Sequence, residues 1–181
     1  MRDVICGFGG CSGNGGHVTS RILVAGIGNI FLSDDGFGSE VIRRGSVRLQ
    51  QPEVRVVDYG IRGVHLAYDL LDGWDALVLV DAVPGRGSPG TVHVFEADHE
   101  TLGGSAALDA HSMDPAAVFA SLTALGGQAP YTVVVGCEAA TVDEGIGLSE
   151  PVAAAVDGAI AAVDEIVAGL LSEAGAPARE G

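Results

Sequence analysis

Arg21-Ile22-Leu23-Val24-Ala25-Gly26-Ile27-Gly28-Asn29-Ile30-Phe31-Leu32-Ser33-Asp34-Asp35-Gly36-Phe37-Gly38 is the stretch on which the reading of this chain turns. Its first half is a short run rich in Ile, Leu and Val that halts on glycine, the mark of a parallel strand buried on both faces. Gly26-Ile27-Gly28 then opens like a dinucleotide fingerprint, but Phe31 stands where the third glycine belongs. That glycine lets the first helix close on its strand, so the ring argues against a nucleotide. Two adjacent carboxylates, Asp34 and Asp35, come instead, at the mouth of a helix. A loop that presents acid does not cradle phosphate.

Working outward, Phe37, Val41, Ile42 and Leu49 mark a helix with an interruption at Gly45, and residues 54–58 read as a second strand ending in Asp58-Tyr59-Gly60. Residues 65–71 form a short helix with Leu66, Leu70 and Leu71 inward, and Ala76-Leu77-Val78-Leu79-Val80-Asp81-Ala82 is a third, central strand. Residues 91–96 alternate apolar and polar, as an antiparallel edge strand does. A polar loop over 98–113 precedes a helix opened by Asp114 as N-cap and Pro115, with Val118, Phe119, Leu122 and Leu125 on it. Residues 131–136 are the last strand, and Ser149-Glu150-Pro151 opens a long helix with Val152, Val156, Ile160, Val163, Val167 and Leu170 at helical spacing. Strands alternating with helices predict an α/β three-layer sandwich: a mostly parallel, twisted sheet of about five strands with one antiparallel edge strand and helices on both faces.

Composition bounds the function. The 181 residues are 48% hydrophobic and carry nine basic against 24 acidic side chains, a formal charge of −15. Such a chain is repelled by nucleic acid and by anionic membranes, and no apolar run approaches the roughly 20 residues that span a bilayer. Three scattered cysteines, Cys6, Cys11 and Cys137, form no disulfide framework and suit a reducing cytoplasm. Residues 1–19 are a Gly-rich stretch expected to be a disordered leader, 20–171 a single α/β domain, and 172–181 a flexible tail.

In an open parallel sheet the functional crevice lies at the carboxyl ends of the strands where their order reverses. The loops after strands one and three should flank it, and they carry Asp34, Asp35 and Asp81. An acid ending the hydrocarbon run 76–80 is costly unless hydrogen-bonded or coordinated. One of Asp34 and Asp35 can cap a helix; a need for both as caps is less plausible. His111 lies in the loop ahead of the Pro115 helix. Two carboxylates and an imidazole would make a mixed O/O/N metal site suited to Ni, Zn, Fe or Mn, among which spacing does not choose. No Gly-x-Ser-x-Gly elbow, His-Glu-x-x-His or activated cysteine motif is present, and Cys137 reads as a buried, inert thiol.

Gly26-Ile27-Gly28-Asn29 with Asp34-Asp35-Gly36-Phe37-Gly38, then Asp58-Tyr59-Gly60 with Gly63, Val78-Leu79-Val80-Asp81-Ala82, His111, Val135-Gly136-Cys137-Glu138 and Gly145-Ile146-Gly147-Leu148-Ser149 resemble, in this order, the blocks of the [NiFe]-hydrogenase maturation proteases. The resemblance runs from Arg21 to Leu171. It implies a hydrolase, an aspartate-dependent endopeptidase that clips a carboxy-terminal extension from the hydrogenase large-subunit precursor after nickel insertion. It also implies that Asp35, Asp81 and His111 engage nickel, supplied by the substrate rather than stably bound, with Asp35 and Asp81 as the catalytic carboxylates. Two other readings stay open: a non-catalytic nickel-sensing chaperone of the precursor, and a Rossmann-like nucleotide-binding domain in which Asp58 contacts a ribose.

Overall fold

The computed structural model describes residues 20–97 and 115–174. In chain order the elements are β1 (Ile22–Ile27), a 3-10 turn (Ser33–Gly36), α1 (Phe37–Leu49), β2 (Val54–Gly60), α2 (Gly63–Leu70), β3 (Ala76–Val83), β4 (Val92–Ala97), α3 (Pro115–Ala124), β5 (Tyr131–Glu138) and α4 (Glu150–Ala174). The strands form one sheet in the order β2-β1-β3-β5-β4. All neighbours are parallel except β4, which runs antiparallel to β5 at the edge. This is the three-layer α/β sandwich expected from the alternation of strand and helix patterns.

Period-two geometry sends successive strand side chains to opposite faces, which is why β1 and β3 are apolar at nearly every position. Ile22, Val24, Val78 and Val80 go to one face and pack with Phe37 and Val41 of α1 and Val156 and Val163 of α4. Leu23, Ala25, Leu77 and Leu79 go to the other, against Leu66 and Leu70 of α2 and Val118 and Leu122 of α3. Each such side chain contributes about 1.5–3 kcal/mol on full burial, so the two central strands anchor both layers.

Several local expectations are corrected. Helix α1 is continuous through Gly45, because a Cβ there would stand 3.1 Å from Ile160 of α4; the glycine closes the gap between two helices rather than breaking one. Leu71 follows the end of α2 and is exposed, as is Leu125 after α3. Strand β5 runs on to Glu138, and α4 continues to Ala174, beyond the boundary drawn at 171. The leader 1–19, the loop 98–113 with His111, the N-cap position Asp114 and residues 175–181 lie outside the described residues. Among the described residues, no helix is long and apolar enough to cross a membrane.

Glycines in two helices make opposite predictions. A Cβ on Gly38, at the start of α1, would overlap the carbonyl oxygens of both Ile27 and Val80, whereas one on exposed Gly158 of α4 would meet nothing. Gly38→Ala is expected to lower stability by about 1–3 kcal/mol. Gly158→Ala should raise it by about 0.5–1 kcal/mol, through helix propensity and lost unfolded-state entropy. Urea denaturation of the two variants measures both.

Candidate active site

The chain passes from β1 outward to β2 and then back across β1 to β3, so β1 and β3 are the neighbours between which the strand order reverses. In open α/β sheets ligand crevices form at this reversal. Gly26 of β1 pairs with Val80 of β3, one residue before Asp81, and the 3-10 turn bearing Asp34 and Asp35 packs on β3. Asp34, Asp35 and Asp81 are all buried. The three acids picked out from the sequence therefore converge on one end of two adjacent strands.

The adjacent aspartates have opposite surroundings. Asp34 Oδ2 accepts hydrogen bonds from the amides of Ala140 (2.9 Å) and Thr141 (3.1 Å) and from the Ser149 hydroxyl (2.8 Å), while Oδ1 accepts from the Ser149 amide (2.6 Å). Burial pushes its carboxyl up, but the donors from Ser149, Ala140 and Thr141 outweigh this and hold it below the usual aspartate range. The Ser149 bonds reach the position that precedes α4, whose amide end favours negative charge. Asp34 is thus a structural tie between the β1 loop, the β5–α4 loop and the start of α4.

Among the described residues Asp35 has a single donor. Its Oδ2 accepts the Asn29 amide at 2.7 Å, and Oδ1 is buried with no hydrogen-bond partner among the described residues. Burial raises its carboxyl above the ordinary value, opposed only by the Asn29 bond. The side chain lies beside Gly28, whose φ of 127° is one that L side chains rarely adopt. A Cβ on Gly28 would overlap the Asp35 carbonyl oxygen, so the glycine is what allows the acid loop to fold back on the strand. Ser33, just ahead of the acids, has φ 49° and is held there by its amide to Gly145 O (3.0 Å) and its hydroxyl to Asp143 O (3.0 Å). A non-glycine residue in the left-handed region marks a loop whose shape is imposed from outside.

Asp81 Oδ1 accepts the amide of Ala82 at 2.8 Å. The third expected ligand, His111, lies outside the described residues; helix α3, which follows it, starts at Pro115 and packs on the same sheet face as Leu77 and Leu79. Among the described residues no group of three or more His, Cys, Asp or Glu side chains is placed to hold a metal. Asp58, the candidate ribose contact, accepts the Ser39 hydroxyl (2.7 Å) and the Gly60 amide (2.9 Å) through Oδ1 and so shapes the end of β2.

Glu138, read from the sequence only as part of a family block, is a buried acid with a structural role. Glu138 Oε1 is 2.8 Å from His93 Nε2, and Oε2 accepts the amides of Arg86 (2.8 Å) and Ser88 (3.1 Å), clasping the β3–β4 connection. Its carboxyl is held below the usual range by His93 first and then by those amides. The signal was there: Glu138 ends a hydrocarbon strand just as Asp81 does. Cys137 is buried on the α1–α4 face and its thiol is pushed up to about 11, chiefly by burial. A groove of about 400 Å³ at Arg21, Glu53, Arg55 and Trp74 lies at the amino ends of the strands, away from the acids. Its arginines are already engaged: Arg21 stacks on Trp74 and Arg55 pairs with Asp69.

Residues 40–166 match the family model for hydrogenase maturation protease. The chain belongs to the hydrogenase maturation protease family. It is 32% identical over 144 residues to the hydrogenase expression/formation protein HupD of Rhodobacter capsulatus, covering 78% of this chain and 68% of that one. Its fold is similar to that of the hydrogenase maturating endopeptidase HybD of E. coli, with a TM-score of 0.66 and 27% identity over 86% of this chain and 94% of that one. It also matches the [NiFe] hydrogenase maturation protease HybD of Thermococcus kodakarensis, with a TM-score of 0.67 and 25% identity over 81% and 98% of the two chains. Members of this family are peptidases, and this chain is a hydrolase of that kind.

The two aspartates predict opposite responses to the same substitution. Asp34 has a lowered pKa when folded, so its stabilisation is present above the ordinary value of 3.8 and is lost as pH falls through the lower folded value. Asp34→Asn turns an amide toward donors and should cost about 2–3 kcal/mol at pH 7. Asp35 has a raised pKa, so its contribution is favourable at low pH and is lost as pH rises through the folded value. Asp35→Asn should therefore be at least as stable as the parent at pH 7, with the difference shrinking as pH falls through the raised folded value toward the ordinary 3.8. Thermal melts of both variants between pH 3 and 7 provide the measurement.

Proposed function

We propose that the protein is an endopeptidase that removes a carboxy-terminal extension from the large subunit of a [NiFe] hydrogenase after nickel insertion, and that Asp35, Asp81 and His111 engage the nickel carried by that precursor. The observation that favours this site is the division between the neighbouring acids: Asp34 has its lone pairs filled by four donors, while Asp35 keeps a buried oxygen that meets none among the described residues. A buried acceptor with no donor is costly unless a cation or a proton meets it. Asp81 follows Val80, the β3 partner of Gly26, at the same carboxyl edge, and His111 precedes α3 in the sequence, which supports grouping them with Asp35. Carboxylate and imidazole donors suit nickel.

Water is the nucleophile best supported by the side chains of this edge. The hydroxyls of Ser33, Ser39 and Ser149 donate to Asp143 O, Asp58 and Asp34, so each proton is already committed to an acceptor. The Cys137 thiol is protonated at neutral pH and buried in the core. Nickel held by the precursor supplies a Lewis acid next to the cleaved bond. Asp35 and Asp81 bring negative charge to that centre and orient it, and the crevice walls limit access by bulk water. A precursor without nickel offers these acids nothing to bind, so the metal serves as the proof of maturity.

The test is incubation with nickel-loaded and nickel-free precursor, followed by mass spectrometry for the released peptide. Release is expected from the loaded form alone. Asp35→Asn, Asp81→Asn and His111→Ala should each slow it at least about 100-fold, the scale expected when a group acting in the transition state is removed, with native circular dichroism. Efficient cleavage of nickel-free precursor in chelator would overturn nickel recognition and leave an ordinary aspartate-dependent hydrolase. Nickel-dependent binding without any cleavage would favour the non-catalytic chaperone.

A further inference from the structure

The acid loop carries large apolar side chains that the core does not use. Ile30 and Phe31, between Asn29 and the 3-10 turn, are 50% and 62% exposed, and Ile146 in the β5–α4 loop is 83% exposed. These are not scattered. The Gly145 amide bonds to Phe31 O at 2.9 Å and the Ser33 amide to Gly145 O at 3.0 Å, so Phe31 and Ile146 each adjoin a residue of one two-way backbone link. Ile30 lies over Gly36, where a Cβ would stand 3.1 Å from the Ile30 Cα, one residue from Asp35. Together they form an apolar knob at the lip of the crevice.

The knob is pre-shaped. Asp34 fixes both of its loops, and Ser33 is held in its left-handed conformation by Asp143 and Gly145. The backbone groups linking the loops are already paired with one another, so the surface offers hydrocarbon rather than hydrogen bonds. Around it stand exposed Asp143, Glu144 and Glu150. Neither loop itself carries a basic residue: there is no Lys or Arg between residues 87 and 178, nor between 22 and 42.

Resting on the proposed function, we infer that this knob is the docking surface by which the enzyme seats the hydrogenase large-subunit precursor, inserting Ile30, Phe31 and Ile146 into an apolar recess rimmed by basic side chains. Charge selects the occupant. A second copy of this chain would have to meet the knob with the same patch, setting one acidic rim against another in a molecule of formal charge −15. A basic rim on a different protein is complementary, and a polypeptide that reaches Asp35 passes over Ile30. Rigid apolar side chains at the centre with charge at the border divide the work as tight interfaces do: the centre slows dissociation and the rim speeds encounter.

The experiment compares the parent chain with Phe31→Ser/Ile146→Ser and with Glu144→Gln, all at exposed positions outside the acid pair. Binding of nickel-loaded precursor is followed by biolayer interferometry at two salt concentrations, processing by mass spectrometry, and self-association by sedimentation. The double variant is expected to raise Kd and KM at least about tenfold, with kcat at saturating precursor unchanged. Glu144→Gln should lower the association rate at low salt and flatten its salt dependence. Parental affinity in the double variant overturns the inference, as does a parent dimer that the double variant dissolves into monomers. Cleavage by the parent decides the function separately: if the parent cleaves while the variants bind equally well, docking fails and the function stands. If the parent never cleaves, the binding arm still decides the docking.

Discussion

Removing the Asp34 carboxylate from water would be prohibitive unless donors replaced its hydration, and Ala140, Thr141 and two groups of Ser149 do so. Those donors come from a loop more than a hundred residues away in sequence, so the bonds close a long chain segment onto the turn that follows β1. The rest of the carboxyl edge depends on this tie. It sets the start of α4, holds Gly145 where it pairs with Phe31 and Ser33, and fixes the 3-10 turn from which Asp35 projects.

That turn also explains why identical neighbours have different fates. A 3-10 helix advances about 120° per residue, so adjacent side chains leave it in different directions. Asp34 leaves toward the start of α4 and its donors; Asp35 leaves toward Gly28 and Asn29, where a single amide meets it. The resulting pKa shifts run in opposite directions although both groups are fully enclosed. One carboxylate stabilises the scaffold, and the other is held at an energetic disadvantage that a cation would relieve. Glu138 repeats the structural solution at the end of β5, where its clasp on Arg86 and Ser88 keeps the connection after Asp81 in place.

Much of this was legible in the chain. The apolar runs of β1 and β3, the alternation of β4 and the periodic valines of α4 specify their elements because burial on two faces, on one face, or along a stripe leaves different periods. Gly45 misled because glycine in a helix reads as a break until the partner helix is known; Ile160 of α4 is the reason it is there. The structural role of Glu138 was passed over because an acid after an apolar run looks like the end of a strand, and its donors lie 45 to 52 residues earlier in the chain.

The sequence by itself determined the layered α/β fold, the sheet edge at which function gathers and the residues able to supply oxygen ligands there. These follow from period, from glycine placement and from the rule that crevices form where strand order reverses, all of which are local or topological. Only the tertiary structure decided that Asp34 is tied by four donors while Asp35 Oδ1 meets none among the described residues. It likewise decided that Phe31 and Ile146, 115 positions apart, form one surface. Both outcomes depend on which distant backbone groups arrive beside a side chain, and no local pattern in the chain encodes that arrival.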